Sequence, residues 1–155
     1  MHEISLKVIN YIGLALGKED GYFKIFFEKD PMNTLRTIYY PPRSHGVVDS
    51  SELDAASIKL TTPEHVDSGF VTLLTTFGYP GLQVLIDGEY RSIKPVKGAL
   101  VLNLGATFER ITNWKLKGTF HRVLDIGVER YSSPFFAEPR YSSIIPSNLL
   151  EPDDQ

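Results

Sequence analysis

The sequence predicts a mainly β fold in which antiparallel sheets close as a barrel or jelly roll, supported by one or two N-terminal helices. Three observations carry this reading. Only the start of the chain has the three- and four-residue apolar spacing of an amphipathic helix. From Thr34 onward, β-branched and aromatic residues fill short runs bounded by Pro, Gly, Asn and Asp. No helical segments alternate with those runs, so the strands lack the crossovers a parallel sheet needs and pair antiparallel instead.

Leu6, Ile9, Ile12 and Leu16 form the apolar stripe of a helix over 3–16, flanked by Val8, Tyr11 and Ala15, with Gly17 as its C-cap. After Lys18-Glu19-Asp20-Gly21, the aromatic-rich stretch 22–28 is compatible with a short second helix packed on the first, although periodicity does not settle it. Strands are expected over 35–40, 58–61, 71–76, 82–86, 89–93, 99–104, 119–126 and 131–136. The clearest pair is 82–86 with 89–93, because Asp87-Gly88 between them supplies the positive φ angles of a two-residue hairpin turn. The acidic, proline-broken end 151–155 reads as a frayed tail, and no internal repeat is present.

A chain of 155 residues has the length of one domain and can bury roughly two thirds of its unfolded surface. The expected organisation is therefore a single domain over 1–155, with helical support in 1–30, a jelly-roll core in 34–146 and a tail in 147–155. A composition of 42% hydrophobic and 23% charged residues excludes disorder and fibrous repeats. With 16 basic and 19 acidic residues, net charge −3, no basic excess is available for a phosphate backbone, and no nucleic-acid partner is expected. The absence of cysteine excludes disulfides, thiolate zinc sites and cysteine nucleophiles, so any metal must be held by His, Asp or Glu. Every apolar run is interrupted well short of the roughly 18 residues of a membrane span. The stretch 8–17 imitates a secretory leader's apolar region, but Glu3 precedes it and no basic cluster does, so a cytoplasmic location is expected.

The four histidines are at 2, 45, 65 and 121. In His65-Val66-Asp67, an extended backbone projects residues i and i+2 from one face, presenting an imidazole and a carboxylate to the same ion. Alone, such a triplet arises often enough by chance to carry little weight. His121 lies in the expected strand 119–126, where a lone histidine is ordinarily a hydrogen-bonded or half-exposed residue. Convergence of the three would put two imidazoles and one carboxylate on one face of an ion with adjacent positions open, the arrangement of non-haem Fe(II) oxygenases. Arg130-Tyr131-Ser132 places a guanidinium and a hydroxyl on one strand face, a pairing suited to a carboxylate, whereas an isolated Arg-x-Ser reads as a solvent-facing arginine. His45, in the turn-rich 41–46, reads as solvated, and His2 as a disordered terminal residue. Trp114 either stacks on a substrate or covers the barrel edge. Phe70, Phe135 and Phe136 either line an apolar pocket or pack the core, with core packing expected for at least two.

These elements, in this order, resemble the isopenicillin N synthase-like branch of the Fe(II)/2-oxoglutarate-dependent dioxygenases. The matching stretches are Leu35-Arg36-Thr37-Ile38-Tyr39-Tyr40-Pro41-Pro42, then 64–74 around His65 and Asp67, and Gly81-Leu82-Gln83-Val84. They continue with 98–105, Thr112-Asn113, His121-Arg122-Val123 and Arg130-Tyr131-Ser132, so the resemblance runs from the first helix to Pro146. It implies a double-stranded β-helix, with His65, Asp67 and His121 as iron ligands. It further implies Arg130 and Ser132 as the site of the distal carboxylate of 2-oxoglutarate, with Tyr40 a further co-substrate contact. The implied activity couples decarboxylation of 2-oxoglutarate to succinate with oxidation of a small organic molecule, using Fe(II) and 2-oxoglutarate as cofactors.

The chain departs from the family pattern at several places. Ile38 stands where Asn is frequent, Ala106 where Asp usually follows the glycine, Val66 between the first two ligands in place of Thr, and Trp114 where a small residue follows Thr-Asn. Ile38 and Ala106 bear on the groups around the ligands, which tune ligand orientation and metal affinity. Family members also carry an N-terminal region before the helix that opens this chain and a C-terminal segment after the last strand. Their absence here leads to the expectation of a homo-oligomer or a partner chain covering the missing N-terminal region. It also keeps open a truncated metal-binding or regulatory module with little turnover, and an oxidase of the same family that needs no 2-oxoglutarate.

Overall fold

The computed structural model describes residues 1–43 and 59–146; His45, the first residue of the strand expected over 58–61 and the tail 147–155 lie outside the described residues. Helix α1 spans His2–Ala15, and its most buried line is Ser5, Ile9 and Gly13, with Leu6 and Ile12 packed beside it. The two small residues let the helix approach closely: a Cβ on Gly13 would stand 3.0 Å from the Phe23 ring. Apolar spacing identifies the helix but passes over Ser5 and Gly13. His2 is not a loose terminus, because it opens α1 and its Nδ1 lies 2.8 Å from Asn33 Nδ2. Gly17 closes the helix in the left-handed region, with φ 75°. The Lys18 N–H donates to the Gly13 carbonyl at 2.9 Å and the Gly17 N–H to Leu14 at 3.0 Å, which satisfies carbonyls the helix end would otherwise orphan. The second helix, α2, is a single turn, Lys24–Phe27, that buries Phe26 and Phe27.

Nine strands follow among the described residues: β1 Thr34–Leu35, β2 Ile38–Tyr40, β3 Leu60–His65, β4 Val71–Thr75, β5 Leu82–Ile86, β6 Glu89–Ser92, β7 Val101–Leu104, β8 His121–Leu124 and β9 Arg130–Ala137. One sheet has the order β1-β9-β4-β7, with β2 also on β9, and the other β3-β8-β5-β6, all pairs antiparallel. Apart from the β5–β6 hairpin, no strand pairs with its successor among the described residues. The chain passes from one sheet to the other between β2 and β3 and at most later connections, which is the winding of a double-stranded β-helix. The hairpin forms as expected, with Ile86 opposite Glu89 and φ values of 52° at Asp87 and 81° at Gly88.

The strand expected over 35–40 is divided into β1 and β2. The register sets Arg36 opposite Pro134, and the Arg36 N–H donates to the Pro134 carbonyl at 3.0 Å. Proline has no N–H to return that bond, so the ladder is interrupted there and resumes at Ile38. Pro63 sits similarly in β3, where the register shifts between Thr62 and His65.

The apolar core lies outside the barrel, between the outer face of the five-stranded sheet and the helices. Phe70, Val71, Leu73, Phe135 and Ala137 meet Ile9, Phe23, Phe26, Phe27, Phe108 and Ile111 there. Edge-to-face contacts of Phe23 with Phe70 and Phe108, at 6.1 and 5.4 Å between centroids, knit the layers together. Phe70 and Phe135 thus pack the core, while Phe136 faces inward. The same alternation turns Thr72, Asn103 and Ser132, all buried, toward the space between the sheets. One further helix, α3 over Ala106–Ile111, follows β7 and has no counterpart among the elements expected from the sequence.

Candidate metal centre

His65 is the last residue of β3 and His121 the first of β8, and the register pairs them directly, with ring centroids 4.2 Å apart. Each Nδ1 reaches the carbonyl two residues earlier in the chain: His65 that of Pro63 at 2.8 Å, His121 that of Thr119 at 2.9 Å. A carbonyl only accepts, so Nδ1 carries a proton in both rings, and in the neutral rings Nε2 keeps its lone pair. Both Nε2 atoms face Asp67 Oδ1, at 3.6 and 3.8 Å.

Asp67 lies beyond the end of β3, so strand alternation alone does not aim it. The start of α3 holds this segment: the Ala106 N–H donates to the Asp67 carbonyl at 2.8 Å, and the Thr107 N–H and hydroxyl donate to the Ser68 carbonyl at 3.1 and 2.7 Å. The Gly105 N–H donates to Phe70 at 2.9 Å, and a Cβ on Gly105 would overlap the Gly69 backbone. The contact made at Ala106 is therefore a backbone one, independent of the side chain that departs from the family pattern.

Asp67 is 8% exposed, and its Oδ2 is buried without a hydrogen-bond partner. A buried carboxylate left this way is costly unless a cation completes it. The Nε2 and carboxylate atoms of the three residues lie within 4.8 Å of one another. Neighbouring ligands around an octahedral ion bound at roughly 2.0–2.2 Å stand about 2.8–3.1 Å apart, so the His–Asp distances of 3.6 and 3.8 Å would contract by about 0.5–1 Å on binding. The donor set fits a divalent transition metal of intermediate softness. Near this charge, burial, with Asp67 adding to it, holds the Glu138 carboxyl above the usual carboxylate range.

The cavity at this centre has a volume of about 280 Å³ and lies between the two sheets. Ser132 and Tyr40 line it along with His65, Asp67 and His121, and so do Arg36, Thr72 and Asn103, to which the sequence reading gave no role. Thr72 and Asn103 are cross-strand partners, and the period-two pattern of β4 and β7 would have marked them as inward-facing. Ile38 lines the cavity too, as an apolar wall.

Arg130 and Ser132 share a face of β9 and are both buried, Arg130 being 4% exposed. The Arg130 guanidinium is not itself part of the cavity lining; it stacks on the Tyr40 ring 3.8 Å from its centroid, and its Nη2 is buried without a partner. Burial lowers its pKa, and the neighbouring Tyr40 and Asp125 work against that shift. Trp114, exposed and with φ 58°, is not among the cavity residues.

A family model for the 2OG-Fe(II) oxygenase superfamily matches residues 31–139. Gibberellin 20 oxidase 2 of Oryza sativa subsp. indica is 36% identical over 146 residues, 94% of this chain and 35% of that protein. A 2-oxoglutarate-Fe(II) type oxidoreductase of Aspergillus fumigatus is 35% identical over 139 residues, 88% of this chain and 39% of that protein. Among solved structures, that of a full-length Neurospora crassa protein in complex with alpha-KG superposes with a TM-score of 0.79 at 28% identity, over 93% of this chain and 48% of that one. The chain thus spans little more than a third of the length of these curated relatives. With the jelly roll, the clustered His-Asp-His group and the matched span in agreement, the chain belongs to the 2OG-Fe(II) oxygenase superfamily.

Proposed function

We propose that this chain is the catalytic unit of a non-haem Fe(II), 2-oxoglutarate-dependent oxygenase acting on a small organic molecule. In this reading His65, Asp67 and His121 hold the iron, and Arg130, Ser132 and Tyr40 hold 2-oxoglutarate. The observation that carries it is Asp67: a buried carboxylate with an unpartnered oxygen, faced by two imidazole Nε2 atoms.

When bound, Fe(II) and 2-oxoglutarate supply the oxidising chemistry. The protein's residues position and shield it. The Pro63 and Thr119 carbonyls fix both imidazoles with Nε2 toward Asp67. The inward wall of Ile38, Leu74, Leu82, Val123 and Phe136 limits water around the charged group. Arg130, stacked on Tyr40 with a free Nη2, offers its fork to a carboxylate, and the Ser132 hydroxyl adds a donor.

Within the superfamily, the ordered matches from 35 to 132 support placement in the isopenicillin N synthase-like branch, and all the described elements support one domain over 1–155. A non-catalytic module is not favoured, since the relatives carry oxidase and oxidoreductase names. For partners, the reading retains a homo-oligomer, built on the outward face of α1 where Ile4, Tyr11 and Leu14 are exposed.

Anaerobic titration of the purified chain with Fe(II), with and without 2-oxoglutarate, tests the proposal. A visible charge-transfer band that needs both components is expected, and its absence sinks the reading. Arg130→Lys, which replaces a planar fork by a point charge, should weaken 2-oxoglutarate binding about tenfold or more in the same titration.

A further inference from the structure

One row of residues crosses the whole four-stranded sheet: His65 on β3 pairs with His121 on β8, His121 with Val84 on β5, and Val84 with Arg91 on β6. Directly paired residues project from the same face of an antiparallel sheet, so Arg91 stands on the face that carries both histidines. Its neighbours along β6 confirm the alternation. Ser92 accepts a hydrogen bond from Gln83 Nε2 at 3.3 Å, and the Tyr90 ring lies under the Arg122 guanidinium at 3.6 Å, both on the opposite face.

Strands stand about 4.8 Å apart, so the Arg91 Cα lies roughly 10 Å from that of His121. An extended arginine side chain carries its guanidinium roughly 6 Å from Cα. Neither Arg91 nor Val84 lines the cavity at the centre, and an arginine side chain laid across Val84 would bring its charge to the edge of that cavity. Arg91 is exposed and forms no ion pair with any described residue, in contrast to Arg122, which is held by Gln83 at 2.9 Å and by Tyr90. Val84, between Arg91 and His121, is apolar and buried, and so is Leu82, its neighbour on the same face of β5.

From this row we infer that Arg91 determines substrate specificity by binding the carboxylate of an otherwise apolar molecule, whose carbon skeleton then lies over Val84 toward His121. The inference rests on the oxygenase reading for its chemistry and on the sheet register for its geometry. The guanidinium fork suits a planar carboxylate held at two oxygens. An inward charge on an edge strand also discourages pairing with another strand, but that role requires no ligand and would not distinguish an acid from its neutral isostere.

The test uses 3-phenylpropanoate and 3-phenylpropanamide, equal in shape and different in charge, titrated into the full chain by ligand-observed NMR. The acid should bind about tenfold more tightly than the amide. Arg91→Gln should abolish the difference, Arg91→Lys should retain part of it, and Arg122→Gln, on the outer face of the same sheet, should leave it in place. An acid that binds no better than its amide, or a preference that survives Arg91→Gln, overturns the inference. The Fe(II)–2-oxoglutarate band of the same wild-type sample reports separately on the oxygenase reading. A band without an Arg91-dependent preference fails only the inference, and the preference without the band fails only that reading.

Discussion

Asp67 is a carboxylate that the fold buries and leaves incompletely partnered. Its side chain is buried beside two imidazoles, and one of its oxygens has no hydrogen-bond partner. Asp67→Asn would remove the buried charge, and its new amide N–H could turn toward an Nε2 lone pair. The metal-free Asp67→Asn chain should therefore be more stable than wild type by up to about 1 kcal/mol, seen as a rise of about 2–4 °C in Tm. Adding Fe(II) or Mn(II) anaerobically should raise the wild-type Tm and leave that of the variant unmoved. A variant that unfolds earlier than wild type without metal would show that Asp67 is structural. The types of residue at the site were readable from the sequence, because i, i+2 pairs such as Arg130 and Ser132 follow from strand geometry. Asp67 was readable only as a member of a pair: the structure aims it through backbone bonds from α3, more than 35 positions along the chain.

At the scale of elements, short-range signals translated directly and long-range ones did not. Helix α1 and its glycine cap, and the Asp87-Gly88 hairpin, depend on residues within a few positions of each other. The break between β1 and β2 depends on Pro134, which sits opposite Arg36 only once β9 has been brought alongside. Helix α3 is not legible in the sequence because its buried apolar residues, Phe108 and Ile111, cover less than one turn, too little for a period to register. Its role is nevertheless specific, and Gly105 tests it. A Cβ there would overlap the Gly69 backbone, so Gly105→Ala must push α3 away from 67–70. We expect a loss of about 1–3 kcal/mol in chemical denaturation and, in the folded fraction, weaker metal binding than wild type by equilibrium dialysis. Unchanged metal affinity would separate α3 from the placement of Asp67.

Across the whole molecule, the two faces of the five-stranded sheet have different tasks. The main apolar core is outside the barrel, under α1, α2 and α3, and the interior combines an apolar wall with buried polar residues and the candidate centre. Such a layout leaves a cavity inside the barrel, because most of the large buried side chains pack on its outside. It also leaves α1 with two sides: Ile9 packs inward, while Ile4, Tyr11 and Leu14 recur on the outward side, Tyr11 being 67% exposed. The purified chain should self-associate through that side, sedimenting above its 17.5 kDa monomer mass. Tyr11→Lys with Leu14→Lys should return it toward the monomer. Wild type that remains monomeric at high concentration would remove the homo-oligomer from consideration. No described helix is long and apolar enough to cross a membrane.

The sequence by itself determined the fold class, most strand positions, the hairpin, and the residue types able to hold a metal and a carboxylate, because periodicity, turn chemistry and side-chain inventory are local properties. The order of strands, the pairing of His65 with His121, the backbone hold of α3 on Asp67 and the row that sets Arg91 on the face of the two histidines were decided only in the tertiary structure. Each of these depends on register between segments far apart in the chain, and a shift of one residue in that register would turn the same side chains to the opposite face.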